Sequence, residues 1–130
     1  MGVLLRGASG SGKSDLALRL IDRGARLVAD DQVELTERDG ELFADAPETI
    51  RGLFEVRGVG LVEVPCVRGV RLALVVDLVA SDEVPRLPES ATVEYGGRAI
   101  PALRLSPFES SAGAKVRLAV RAFRRDMMRS

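Results

Sequence analysis

The 130-residue sequence contains no histidine, no asparagine and no tryptophan, and its one cysteine is Cys66. Without His, neither a Ser-His-Asp triad nor an H-E-x-x-H zinc site can be assembled within the chain. One thiol excludes an internal disulfide framework or a cysteine metal cluster. Cys66, flanked by Pro65 and Val67, reads as a small buried hydrophobe rather than a reactive thiol. The missing Asn removes the guanine-reading N-K-x-D motif, D-x-x-G is absent as well, and so is an ABC-type ATPase signature. Charge of one sign is lacking too: nineteen basic residues balance nineteen acidic ones, so nothing global draws the chain to nucleic acid or an anionic membrane. No apolar run approaches the roughly 18 to 20 residues that span a bilayer, and the N-terminus has no signal-peptide pattern. The expected location is cytoplasmic.

What is present fits one compact domain, with 46% hydrophobic and 29% charged residues and a length that allows about two thirds of the surface to be buried on folding. Lysine occurs only at Lys13 and Lys115, and Lys13 stands in the strongest motif of the chain. Gly7-Ala8-Ser9-Gly10-Ser11-Gly12-Lys13-Ser14 satisfies G-x-x-x-x-G-K-[ST]. It follows the strand-like Val3-Leu4-Leu5 and precedes Leu16, Ala17, Leu20 and Ile21 at helical spacing, which predicts a helix from about Gly12 to Arg23, closed by Gly24. In such a loop backbone N–H groups curl around phosphate and the helix N-terminus favours negative charge. Lys13 would reach the β- and γ-phosphates, and the Ser14 hydroxyl would ligate Mg²⁺.

Ala25 to Asp31 is a short apolar run ending in Asp30 and Asp31, and is expected as a strand beside the first, delivering both carboxylates to the phosphate-loop end of the sheet. A competing acid, Asp77, ends the more apolar Leu72–Val76 run, and spacing alone does not choose between them. Short strands follow: Gln32–Thr36 and Leu42–Ala44 around an Asp39-Gly40 turn, then Leu61–Val64, Val70–Val79, Thr92–Tyr95 and Arg98–Leu103. Pro47 to Gly52 suits a loop with a helical turn, and Leu53 to Gly60 a ligand loop. Gly113 to Ser130 predicts a C-terminal helix with Val116, Val120, Phe123 and Met127 on one face and a basic opposite face suited to an acidic or helical protein partner or to a phosphate from a neighbouring subunit. The expected fold is α/β: a P-loop-containing domain with a central mixed β-sheet, flanking helices and a C-terminal helix.

The phosphate loop, then Arg23-Gly24-x-Arg26-Leu27-Val28-Ala29-Asp30-Asp31, then Glu55-Val56-Arg57-Gly58-x-Gly60, in that order, resemble the catalytic C-terminal domain of HPr kinase/phosphorylase in its short alphaproteobacterial form. The resemblance covers most of the chain. It implies a homo-oligomeric, hexameric ATP-dependent serine kinase that uses Mg²⁺ and phosphorylates the phosphocarrier protein HPr of the phosphotransferase system, with the reverse phosphorolysis yielding pyrophosphate. Carried over, Gly7 to Ser14 hold the ATP phosphates, Asp30 is the general base, Asp31 supports it, and Glu55 lies by the metal with Ser14. Arg57 belongs to the Arg-Gly-x-Gly loop, and Arg86 faces the transferred phosphoryl group. The family's His ahead of the first strand has no counterpart, so a short leading segment is expected to be missing. The resemblance favours Asp30 over Asp77. The alternatives are a small-molecule P-loop kinase and a nucleotide-dependent regulatory module without strong catalysis.

Overall fold

The structure, a computed structural model, describes residues 1–8 and 10–129, with side chains as far as Phe123. Ser9, Ser130 and the Met127 side chain lie outside the described residues. In chain order the elements are β1 (Gly2–Arg6), α1 (Lys13–Asp22), β2 (Glu34–Arg38), β3 (Glu41–Asp45), β4 (Leu53–Val56), β5 (Gly60–Glu63), β6 (Val70–Leu78), β7 (Thr92–Tyr95), β8 (Arg98–Leu105) and α2 (Ala112–Arg129). Short 3-10 turns cover Glu48–Ile50 and Ser81–Glu83.

The main sheet is mixed, in the order β2-β3-β6-β8-β7, with β1 alongside β6. Strands β1, β6 and β8 are parallel, so their carboxyl ends share one edge. The outer pairs β2–β3 and β7–β8 are antiparallel. Asp39 and Gly40 both adopt positive φ between β2 and β3, the twist a two-residue hairpin turn requires. The buried run Leu72–Val76 places β6 in the middle, as a strand covered on both faces should read. A bulge separates the Gly2–Leu72 and Val3–Leu74 pairs. It flips the alternation, so Leu72 packs with Leu42, Val75 and Ile100 on one face. Leu74 packs on the other with Leu16 of α1 and Ala112 and Val116 of α2. Each of these buried Leu, Ile and Val side chains contributes roughly 1.5–3 kcal/mol of burial.

The two helices follow from their apolar spacing. Leu16 is fully buried and Leu20 packs beside it; Val116, Val120 and Phe123 repeat along α2 at the expected interval. Gly24, at φ +103, ends α1 while its N–H and that of Ala25 return to Ile21 O and Leu20 O, both at 3.0 Å.

Two expectations are corrected. Ala25–Asp31 is not a strand beside β1, whose partner is β6. Leu27 alone makes a bridge, parallel to Cys66, through Leu27 N–H to Pro65 O and Val67 N–H to Leu27 O, both 2.9 Å. The longer apolar run of β6 buries more surface in the central place, and the chain turns at Asp31, a non-glycine residue at φ +56. Cys66 is exposed, not buried, because the segment joining β5 to β6 crosses the surface, held by this bridge and by Val64 N–H to Gly52 O at 2.9 Å.

Candidate active site

The phosphate loop leaves the sheet at the shared carboxyl edge. A Cβ on Gly7 would lie 2.4 Å from Ser11 Oγ and 2.9 Å from Ser11 Cβ, so the loop closes on itself only with glycine there. Gly12 has φ +90, and a Cβ on it would meet Pro107 Cγ at 2.9 Å and Phe108 Cε1 at 3.1 Å. Ser11 N–H donates to Ala8 O at 3.0 Å. The first helical bond is Leu16 N–H to Gly12 O, also 3.0 Å, which leaves the N–H groups of Lys13, Ser14 and Asp15 without helical acceptors. Gly12 provides no side-chain cap. Ser11 Oγ is buried without a hydrogen-bond partner among the described residues. Leftover amides, a glycine cradle, an orphaned hydroxyl and a half-buried Lys13 fit a phosphate chain. Ser14 is exposed at the first turn.

The stem of the loop is braced by a side-chain network that sequence reasoning did not find. Arg6, immediately before Gly7, grips Asp77 with two bonds, Nε to Oδ1 at 2.7 Å and Nη2 to Oδ2 at 2.9 Å, and its Nη1 donates to Tyr95 Oη at 3.0 Å. Asp77 first, then Tyr95, hold the guanidinium pKa above its ordinary value. Both Asp77 oxygens are thereby engaged by Arg6. The available signal was the position of Arg6 and Asp77 at the ends of the two most strand-like runs of the chain.

Asp30 and Glu55 are brought together. Asp30 Oδ2 accepts from Glu55 N–H at 3.0 Å, and Oδ1 from Asp31 N–H at 3.1 Å. Asp30 therefore holds β4, whose partner β5 completes a separate two-stranded sheet. The Glu55 side chain is exposed, as is Arg57 in the turn between them; Gly58 and Gly60 allow that turn with φ of +87 and +122. The residues from Glu55 to Leu61 line an open hollow there. Neither Asp30 nor Glu55 bonds to the phosphate loop among the described residues. Arg86 is exposed on the loop before β7 and has no hydrogen bond or ion pair among the described residues.

A phosphate loop between the first strand and first helix, at the carboxyl edge of a mixed sheet, defines a P-loop α/β domain. The family model of the HPr serine kinase C-terminal domain matches residues 1–102, and the chain belongs to that family. An HPr kinase/phosphorylase of Clostridium tetani is 47% identical over 74 residues, covering 57% of this chain and 24% of its own length. One of Lactobacillus acidophilus is 51% identical over 65 residues, covering 49% and 20%. The chain thus spans about a quarter or less of the length of these curated relatives. A solved structure, the Hpr(Ser) kinase/phosphatase from Coxiella burnetii, aligns with TM-score 0.85 at 29% identity over 98% of this chain and 86% of that one.

Proposed function

We propose that this domain is a cytoplasmic, ATP-dependent serine kinase acting on an HPr-type phosphocarrier protein, with the reverse phosphorolysis as its second activity. What supports this most is that a single family match, over residues 1–102, takes in the phosphate loop, Asp30 and Glu55 together. The backbone of Gly7 to Ser14 and the Lys13 ammonium hold the ATP phosphates. Ser14 and Glu55 are the residues that would hold Mg²⁺, which supplies charge neutralisation on the β- and γ-oxygens when bound. No cluster of three or more Asp, Glu or Cys side chains suited to a metal occurs among the described residues, so most ligands would come from phosphate and water.

In the forward direction Asp30 accepts the seryl proton as the serine oxygen bonds to the γ-phosphorus, and the bond from that phosphorus to the β-phosphate oxygen breaks, releasing ADP. In reverse, inorganic phosphate attacks the phosphoserine phosphorus, Asp30 returns the proton to the seryl oxygen, and pyrophosphate leaves. Asp31 supports Asp30 through the left-handed turn that presents it, and Arg86 meets the transferred phosphoryl group. The proposed assembly is a homo-oligomer, hexameric, which light scattering tests.

The decisive experiment incubates the chain with ATP, Mg²⁺ and HPr and follows the intact mass of HPr. Gain of one phosphate on serine is expected, and Asp30→Asn should lower transfer by about 10²-fold or more while sparing ATP binding. No transfer by an unaltered chain that binds ATP would instead indicate a regulatory module or another substrate.

A further inference from the structure

A phosphate loop recognises phosphate through its backbone and leaves the base of a nucleotide unaddressed. Next to the loop stands Phe108, the one exposed aromatic ring among the described residues: it is 74% exposed, whereas Phe54 is 1% exposed and Phe43, Tyr95 and Phe123 are partly buried. Leaving a ring in water forfeits the burial that aromatic side chains ordinarily gain.

The backbone on both sides of this exposed ring is nevertheless tightly held. Pro107 is fully buried. The Arg19 guanidinium, projecting from α1, donates to the carbonyls of both Pro107 and Glu109, and the Glu109 side chain pairs with Lys115 at 2.9 Å. A freely dispensable surface residue needs no such clamp. The ring also rests against Gly12, in the turn after β8, the third of the parallel strands whose ends meet at the loop. A ligand anchored by its phosphates lies along that edge of an open α/β sheet.

We infer that Phe108 is the platform on which the base of the bound nucleotide stacks. The inference rests on the nucleotide reading of the loop and adds what that reading lacks, the residue that distinguishes a nucleotide from a bare polyphosphate. Stacking of this kind is tolerant of base identity, since every base offers a π-face.

Calorimetric titration of the full chain with ATP and, separately, with inorganic tripolyphosphate tests it. Phe108→Ala should weaken ATP by about tenfold or more and leave tripolyphosphate unchanged, while Phe108→Tyr keeps both affinities. The chain has no tryptophan, so Phe108→Trp installs a single indole whose emission should be quenched by ATP and not by tripolyphosphate. Equal losses for the two ligands would make Phe108 a prop of the loop, and unchanged ATP affinity with a raised KM for HPr would make it a protein contact. Either result overturns the platform and leaves the loop intact. A chain that binds neither ligand overturns the loop itself, a result the other outcomes cannot mimic.

Discussion

The two halves of the candidate site are built differently. The phosphate loop is enclosed: Arg6 pins its stem to Asp77, Ser11 fills its interior against Gly7, the buried Pro107 backs Gly12, and Leu16 roots the following helix in the core. The carboxylate half is strapped on. Asp30 sits on a segment with a single strand bridge, and its neighbour Glu55 belongs to a two-stranded sheet, a structure that is marginal alone. That small sheet is anchored by the buried Phe54, by Leu27 to Pro65 and Val67, by Asp30 to Glu55, and by Arg51 to Asp45 at the end of β3. One half thus grips a ligand through close packing, while the other presents its acids through a few polar bonds that can yield.

If the enclosure of the loop matters as packing implies, one methyl group inside it should have the largest effect. Gly7→Ala places a carbon where Ser11 now lies, with 2.4 Å to its Oγ. ATP and tripolyphosphate titrations should both weaken by about 10²-fold or more, since displacing the loop by about 1 Å spoils every phosphate contact at once. Retained affinity would mean that the loop opens easily and that the contrast between the halves is false.

The same contrast governs what could be read from the chain. The loop, both helices and most strands were legible because their signals are local: glycine spacing, a 3.6-residue apolar period, the Asp39-Gly40 turn. The partner of β1 was not, because strand pairing is a competition between distant segments, and the Leu72–Val76 run prevailed over Ala25–Ala29. Asp31 at positive φ gives little sequence warning, since Asp adopts that conformation only occasionally. Arg6 and Asp77 are 71 residues apart, and the exposure of Phe108 follows from how the turn after β8 is clamped. The family resemblance assigned Asp30 as base and Glu55 to the metal without pairing them, and the bond that joins them, carboxylate to backbone N–H, involves no side chain of Glu55.

Smaller effects test the bracing of each half. Arg6→Ala should cost about 1–2 kcal/mol in denaturant unfolding, the lower part of the range for charged hydrogen bonds, because both side chains are about one-third exposed. The double variant with Asp77→Ala should lose less than the sum of the single losses; strict additivity would show that the two groups do not act as a pair. On the other half, Asp30→Ala frees the Glu55 N–H to water for only about 0.5–1 kcal/mol. Hydrogen exchange in residues 53–63 should quicken by roughly two- to fivefold while residues 2–6 and 70–78 stay unchanged. Quickening across both regions would mean the two sheets open together.

The smallest expected effect is a pH response confined to the strapped half. The hydrogen bond from Arg51, set against a lesser desolvation cost and aided by Ala46 N–H, holds the Asp45 carboxyl below the ordinary carboxylate range. A group whose pKa is depressed on folding binds its proton more readily when unfolded. Its stabilisation is therefore complete above the unfolded value, about pH 4, and disappears as the pH falls through the lower folded value. Asp45→Asn should flatten this part of the acid limb and leave stability near pH 7 only slightly lower, because the carboxylate is accessible to solvent and to screening salt. The flattening should appear in exchange rates of residues 53–63 and not in those of the phosphate-loop stem. An equal response at the stem would show that the Arg51–Asp45 pair stabilises the whole domain and does not act as a local strap.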